Sequence, residues 1–167
     1  NQAQITAVNG GSFTPGIKDN NAGGFSVANT GAEDIRLDSL IIVTDSDGFS
    51  NSLGFSDLAV IDSNTLRRIG NISRPVAGAN KIGFNGFTIK AGQTAEFIIR
   101  VSASNDVPAT GFDIYLSGLA ARGKKSNLSV AMQGDPTEKI PVNSTSLNIP
   151  GSGDNGTGNQ NNPVALN

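Results

Sequence analysis

The chain contains no cysteine, no histidine and no tryptophan, and its single tyrosine is Tyr115. Without cysteine no disulfide can staple the fold, and no thiolate can serve as nucleophile or metal ligand. Without histidine the commonest general base at neutral pH is missing. Carbohydrate clefts usually present Trp or several Tyr as stacking platforms, and this chain offers one such ring. Charged residues make up 16% of the sequence and the net charge is -2, so there is no basic footprint for nucleic acid or an anionic membrane. No apolar run reaches the eighteen or so residues that a membrane-spanning helix requires.

The usual catalytic spacings are absent as well. No serine lies in a G-x-S-x-G elbow or an S-x-x-K arrangement. The glycine pairs Gly10–Gly11 and Gly23–Gly24 lack the GK[ST] ending of a phosphate loop and read as turns. The fourteen acidic residues fall mostly in turns or on alternating polar positions, which is a poor setting for paired-carboxylate chemistry. The chain is expected not to be an enzyme.

What is present is glycine, asparagine, serine and threonine, a polarity without charge that is common on exported and surface-exposed proteins. The 21 glycines mark a chain dense in turns. Helical periodicity is almost absent, whereas two-residue alternation recurs along the chain. Strands are expected over 2–8, 23–31, 33–45, 56–62, 81–90, 93–104, 110–121, 126–133 and 145–149. The run LIIV (40–43) is apolar on both faces, as in a central strand. Phe97, Ile99 and Val101, with Phe112, Ile114 and Leu116, are expected to form the core. Eight or nine short strands separated by frequent turns specify an all-β fold, an antiparallel β-sandwich. From Pro150 the Gly/Asn-rich stretch GSGDNGTGNQNN has too little apolar surface to fold alone, so 150–167 reads as a tail or linker.

Two stretches carry a resemblance. VANTGAEDIRLDSLIIV (27–43) and FTIKAGQTAEFIIRVSAS (87–104) each join two alternating strands through an expected hairpin turn, for which Gly31 and Gly92 supply the backbone freedom. Together they resemble the immunoglobulin-like β-sandwich modules of bacterial and archaeal cell-surface proteins, of the S-layer, adhesin and filament-subunit type. The resemblance covers residues 20 to 121. It implies an immunoglobulin-like sandwich and a place outside the cell or on its surface, but the same architecture serves many functions.

The candidate ligand site is VTDSDGFSNS (43–52). Asp45 and Asp47 before Gly48 echo the opening of a calcium loop, with Asp57 available to complete it. The full EF-hand pattern fails, since the spacing is short and no Glu follows, and a plain polar connection explains the same residues. No other cofactor is expected. Asn71, Asn127, Asn143 and Asn155 head N-x-[ST] sequons, which matter only in a host that glycosylates them.

The first residues raise the functional question. Ala3, Ile5 and Ala7 alternate with Gln2, Gln4 and Thr6, so a strand begins almost at Asn1, followed by Gly10, Gly11, Pro15 and Gly16. A start on Asn fits a precursor whose leader was removed, or a trimmed chain. Such a strand can complete its own sheet or that of a neighbouring subunit, where backbone hydrogen bonds provide much of the affinity. The chain therefore divides into an N-terminal strand at 1–9 open to exchange, a sandwich at 10–149 and the tail at 150–167. Ala3, Ile5 and Ala7 are the candidate interface residues. The expectation is a structural subunit of an extracellular filament, pilus or surface layer that forms a homopolymer, contacts no nucleic acid and has no membrane span. A non-catalytic binding or adhesion module for carbohydrate, protein or calcium is the alternative, and an accessory domain of a larger secreted protein is a third.

Overall fold

The computed structural model describes residues 2–44, 54–133 and 138–145, and among these every regular element is a strand. β1 (Gln2–Phe13), β2 (Asn20–Asn29), β3 (Ile35–Thr44), β4 (Phe55–Asp62) and β5 (Arg68–Ser73) are followed by β6 (Gly78–Ile89), β7 (Thr94–Ala103), β8 (Phe112–Gly123), β9 (Ala131–Gln133) and β10 (Glu138–Ser144). The sheet order is β5-β4-β7-β2-β1-β10-β8-β3-β6, with β9 beside the start of β1. The path folds at β1 into two layers, one of β5, β4, β7 and β2, the other of β10, β8, β3 and β6.

The layering follows from the alternation. In β7 Phe97, Ile99 and Val101 are buried, and in β8 Phe112, Ile114 and Leu116 are. These are the expected core residues. Leu40 and Ile42 of β3 face inward with no exposure, while Ile41 and Val43 are half-buried on the outer face, as befits a strand flanked by β6 and β8. The layers meet through aromatic contacts. The Phe13 ring lies 5.2 Å from Phe55 of one layer and 5.6 Å from Phe112 of the other, and Phe87 meets Phe97 edge-on at 5.2 Å. Each such pair adds about 0.5–1.5 kcal/mol beyond the burial of its surface.

Several sequence expectations are corrected. The turns at Gly31 and Gly92 are not hairpins, because β2 and β7 belong to one layer and β3 and β6 to the other. Both turns carry the chain across the sandwich. The buried Asn29 side chain ties these crossings together: its Nδ2 donates to the Glu33 and Ile89 carbonyls and its Oδ1 accepts from Gly31 N–H. The sheet is mixed, since β1 runs parallel to both β9 and β10. Gly10 and Gly11, expected to separate the first strand from the body, lie inside β1. β5 and β10 are strands without a clear alternation in the sequence, because Gly70 and Pro141 interrupt their patterns. The strand expected over 126–133 shrinks to β9. Of the strand expected over 145–149, only Thr145 is described, and it lies just past β10.

Candidate functional site

The first strand is the best-defined candidate for a functional element. Residues 3–10 pair antiparallel with β2, Gln2–Gln4 pair parallel with β9, and Gly11–Phe13 pair parallel with β10. Ala3 and Ile5 are buried in the core of this same chain, and Ala7 packs against it half-buried. The strand is divided near its middle. Val8 is the extra residue of a bulge opposite β2, and Ala22 is the extra residue of a bulge in β2 opposite β7. Two offset bulges in neighbouring strands bend and twist the sheet locally. That bend takes β1 out of one layer and into the other.

Glycine makes the bend possible. A Cβ on Gly11 would sit 2.2 Å from the Ala22 carbonyl carbon, and one on Gly10 would sit 2.7 Å from the Pro141 oxygen. Gly23 adds a left-handed backbone, with φ of 131°. Their bare backbones floor a cleft of about 520 Å³ on the outer face of β1, β2 and β7. Asn9, Ser12, Asn21, Ser63 and Glu96 line it with polar groups, and Val8 and Ile98 add apolar edges. Asn21 is committed to the bend, its Oδ1 accepting from Gly23 N–H at 3.0 Å. Phe25 and Phe97 lie beneath the floor, so the cleft offers a polyol or peptide polar contacts without an exposed ring. Sequence reasoning missed this site. Its residues come from three strands and from Ser63 in the turn after β4, and the only local signal is the glycine pairs.

Of the calcium candidates, Asp45 and Asp47 lie outside the described residues. Asp57 is on β4, where its Oδ2 takes the Arg68 guanidinium at 2.8 Å and its Oδ1 accepts from Asn71 Nδ2 at 2.9 Å. Asp19 also approaches Arg68, at 3.6 Å. This is a surface ion network that braces β4 against β5. Among the described residues no group of three metal-ligating side chains converges.

The sequons diverge in setting. The Asn71 amide is held by Asp57, Asn143 lies exposed on β10 opposite Ser12, and Asn127 stands exposed in a turn with φ of 60°. Asn155 lies outside the described residues. On the outer face of the other layer, Asp38 joins Arg36 at 3.0 Å and Arg122 at 3.6 Å. Among the described residues no helix is long and apolar enough to cross a membrane.

No protein-family model and no curated protein matches the sequence. Similarity to solved structures is of general shape. The seventh ScaB type I cohesin from Pseudobacteroides cellulosolvens aligns at 11% identity over 89% of this chain and 95% of its own, with a TM-score of 0.47. AvmM, which catalyses macrocyclization in alchivemycin A biosynthesis, aligns at 13% identity over 88% and 90%, with a TM-score of 0.43. The CssB subunit of the enterotoxigenic Escherichia coli colonization factor CS6, complemented with a donor strand from CssA, aligns at 9% identity over 86% and 97%, with a TM-score of 0.38. Likeness at this level selects no function.

Proposed function

We propose that this chain is a non-enzymatic cell-surface module that works through protein contact, as a subunit of an extracellular filament, pilus or surface layer. In the finer form of this reading, residues 1–9 of one subunit complete the sheet of the next. The division of β1 supports it. Residues 2–9 hold their place through backbone ladders to β2 and β9 and through three small apolar side chains, Ala3, Ile5 and Ala7. Residues 11–13 are anchored separately to β10, and the switch from β2 to β10 falls between Gly10, the last residue paired with β2, and Gly11, the first paired with β10. A neighbouring copy can offer the same ladder and the same side chains, and a head-to-tail contact of that kind propagates without closing. The largest side-chain anchor is Ile5, worth about 1.5–3 kcal/mol, and an identical neighbour remakes the same contact, so exchange trades like for like. The binding-module alternative draws on the glycine-floored cleft, whose polar walls suit a small polar ligand or peptide.

The absence of native cysteine makes the exchange directly measurable. Thr6 and Ser26 are Cα partners across β1 and β2, with Thr6 exposed and Ser26 half-buried. In the T6C/S26C double variant, oxidised at high protein concentration, exchange gives a ladder of cross-linked multimers on a non-reducing gel. Filaments in electron micrographs that disappear when residues 1–9 are deleted, while circular dichroism still reports a folded body, complete the expected result. Intrachain cross-links alone, with monodisperse particles at every concentration, refute the exchange and leave the binding module.

A further inference from the structure

The parallel pairing of β1 and β10 fixes where the chain enters and leaves the body. β1 starts at one pole with Gln2 and reaches the other at Phe13, at most roughly 36 Å of strand later at about 3.3 Å per residue. β10 runs the same way beside it and delivers Thr145 to the pole where β1 ends. There Thr145 N–H donates to the Phe13 carbonyl at 2.8 Å, and the Thr14 and Thr145 hydroxyls meet at 2.7 Å. Chain before residue 2 and chain after residue 145 therefore attach at opposite ends of the sandwich.

Tension between those attachments draws β1 toward its own N-terminus and β10 toward its C-terminus. Both displacements run along strand axes, so the inter-strand hydrogen bonds lie across the pull and are strained together. β1 is paired with β2 along 3–10, with β9 along 2–4 on its other side, and with β10 along 11–13. β10 is held by β8 along Glu138–Val142 and by β1 along Val142–Ser144. Each ladder runs along the pull, so its bonds load together in shear rather than peeling one at a time from an end. Had the two strands run antiparallel, with both attachments at one pole, the same bonds would open in sequence. The aromatic cluster of Phe13, Phe55 and Phe112 sits under the latch, with centroids 5.2–5.6 Å apart, and shields that end of the ladder.

We propose that this module bears tension, acting as an in-line mechanical link between partners attached at its two poles. The inference goes beyond the assembly reading and needs no strand exchange, since the clamp is complete within one chain. Single-molecule force spectroscopy on the monomeric full chain tests it. One tether joins the two chain ends. The other joins the C-terminus to a cysteine introduced as K18C, in the exposed loop after β1 at the same pole as Thr145. At equal loading rate the end-to-end tether is expected to require about twofold more force or greater, because forced unfolding follows the barrier to opening rather than equilibrium stability. The body should then extend in one step. Equal forces in the two geometries, or an early low-force release of residues 2–9 or 138–145 in the end-to-end pull, overturn the proposal. Because the pull reads single monomers, either result is independent of whether filaments form.

Discussion

Three glycines with different surroundings separate steric demand from backbone demand. Gly23 has φ of 131° and would place a Cβ 2.4 Å from Ile140 Cγ2 and 2.8 Å from the Asn9 oxygen. Gly92 has φ of 74° but meets nothing within 4 Å, and Gly83 has neither constraint. Alanine at position 23 should therefore cost roughly 2–4 kcal/mol, from strain and displaced neighbours together. At position 92 the left-handed backbone alone should cost about 1–2 kcal/mol. At position 83 the change should stay within about 0.5 kcal/mol. Urea unfolding followed by circular dichroism measures all three, and a G23A variant no less stable than G92A would mean the bend can relax. Residues of this kind were only half legible in the sequence. The glycine pairs stood out, but they read as turns, because nothing local says that Ile140 will press on Gly23 from a strand more than a hundred residues away.

At the scale of elements, the existence of strands was legible and their partners were not. Alternation around Phe97 and Phe112 declares a buried face whatever lies opposite. Whether the turn at Gly92 folds β7 back beside β6 or throws it across the core depends on neighbours such as Asn29, whose N–H and carbonyl bond to Gln93 and Gly92. β10 shows a second limit. Pro141 suggests a break, yet its missing N–H falls one residue before the ladder to β1 begins at Val142. The candidate interface residues Ala3, Ile5 and Ala7 were legible as a strand face, while the cleft beside them depends on three strands meeting. The two edges of the sheet, β5 and β6, illustrate how close approach is managed. They lie against each other, and a Cβ on Gly70 would fall 2.5 Å from the Gly83 oxygen and 2.9 Å from Ile82 Cγ2. Residues 84–86 form a bulge in β6 opposite Asp38 that interrupts its ladder. A G70V variant should force these edges apart. The expected loss is roughly 1–3 kcal/mol, accompanied by concentration-dependent association as unpaired backbone is uncovered. Denaturant unfolding together with light scattering reads both effects; an unchanged midpoint and a monomeric variant would show that the edges separate freely.

At the scale of the molecule, the question is whether the two layers melt as one. Their inner faces form a single core, in which Phe13 of the shared strand touches Phe55 on one side and Phe112 on the other. Residues 129–133 repeat the bridge, with Ser129 paired to Arg122 of β8 and Ala131–Gln133 paired to β1. Loss of either layer would leave the other's buried face in water, a penalty that scales at about 25 cal/mol per Å². Partial unfolding is therefore disfavoured relative to complete unfolding. The sole tyrosine supplies a local probe, since Tyr115 sits half-buried on β8 of one layer, with Cα partners Val43 and Lys139. Far-UV circular dichroism reports strands of both layers. Tyrosine fluorescence and circular dichroism should give superimposable urea transitions with one midpoint and one slope, as a two-state unit requires. A fluorescence midpoint displaced from the dichroism midpoint would mean that the β8 layer opens separately. The bend in β1 would then be a hinge between two semi-independent sheets, and an end-to-end pull would part the body there before the clamp reached its full load.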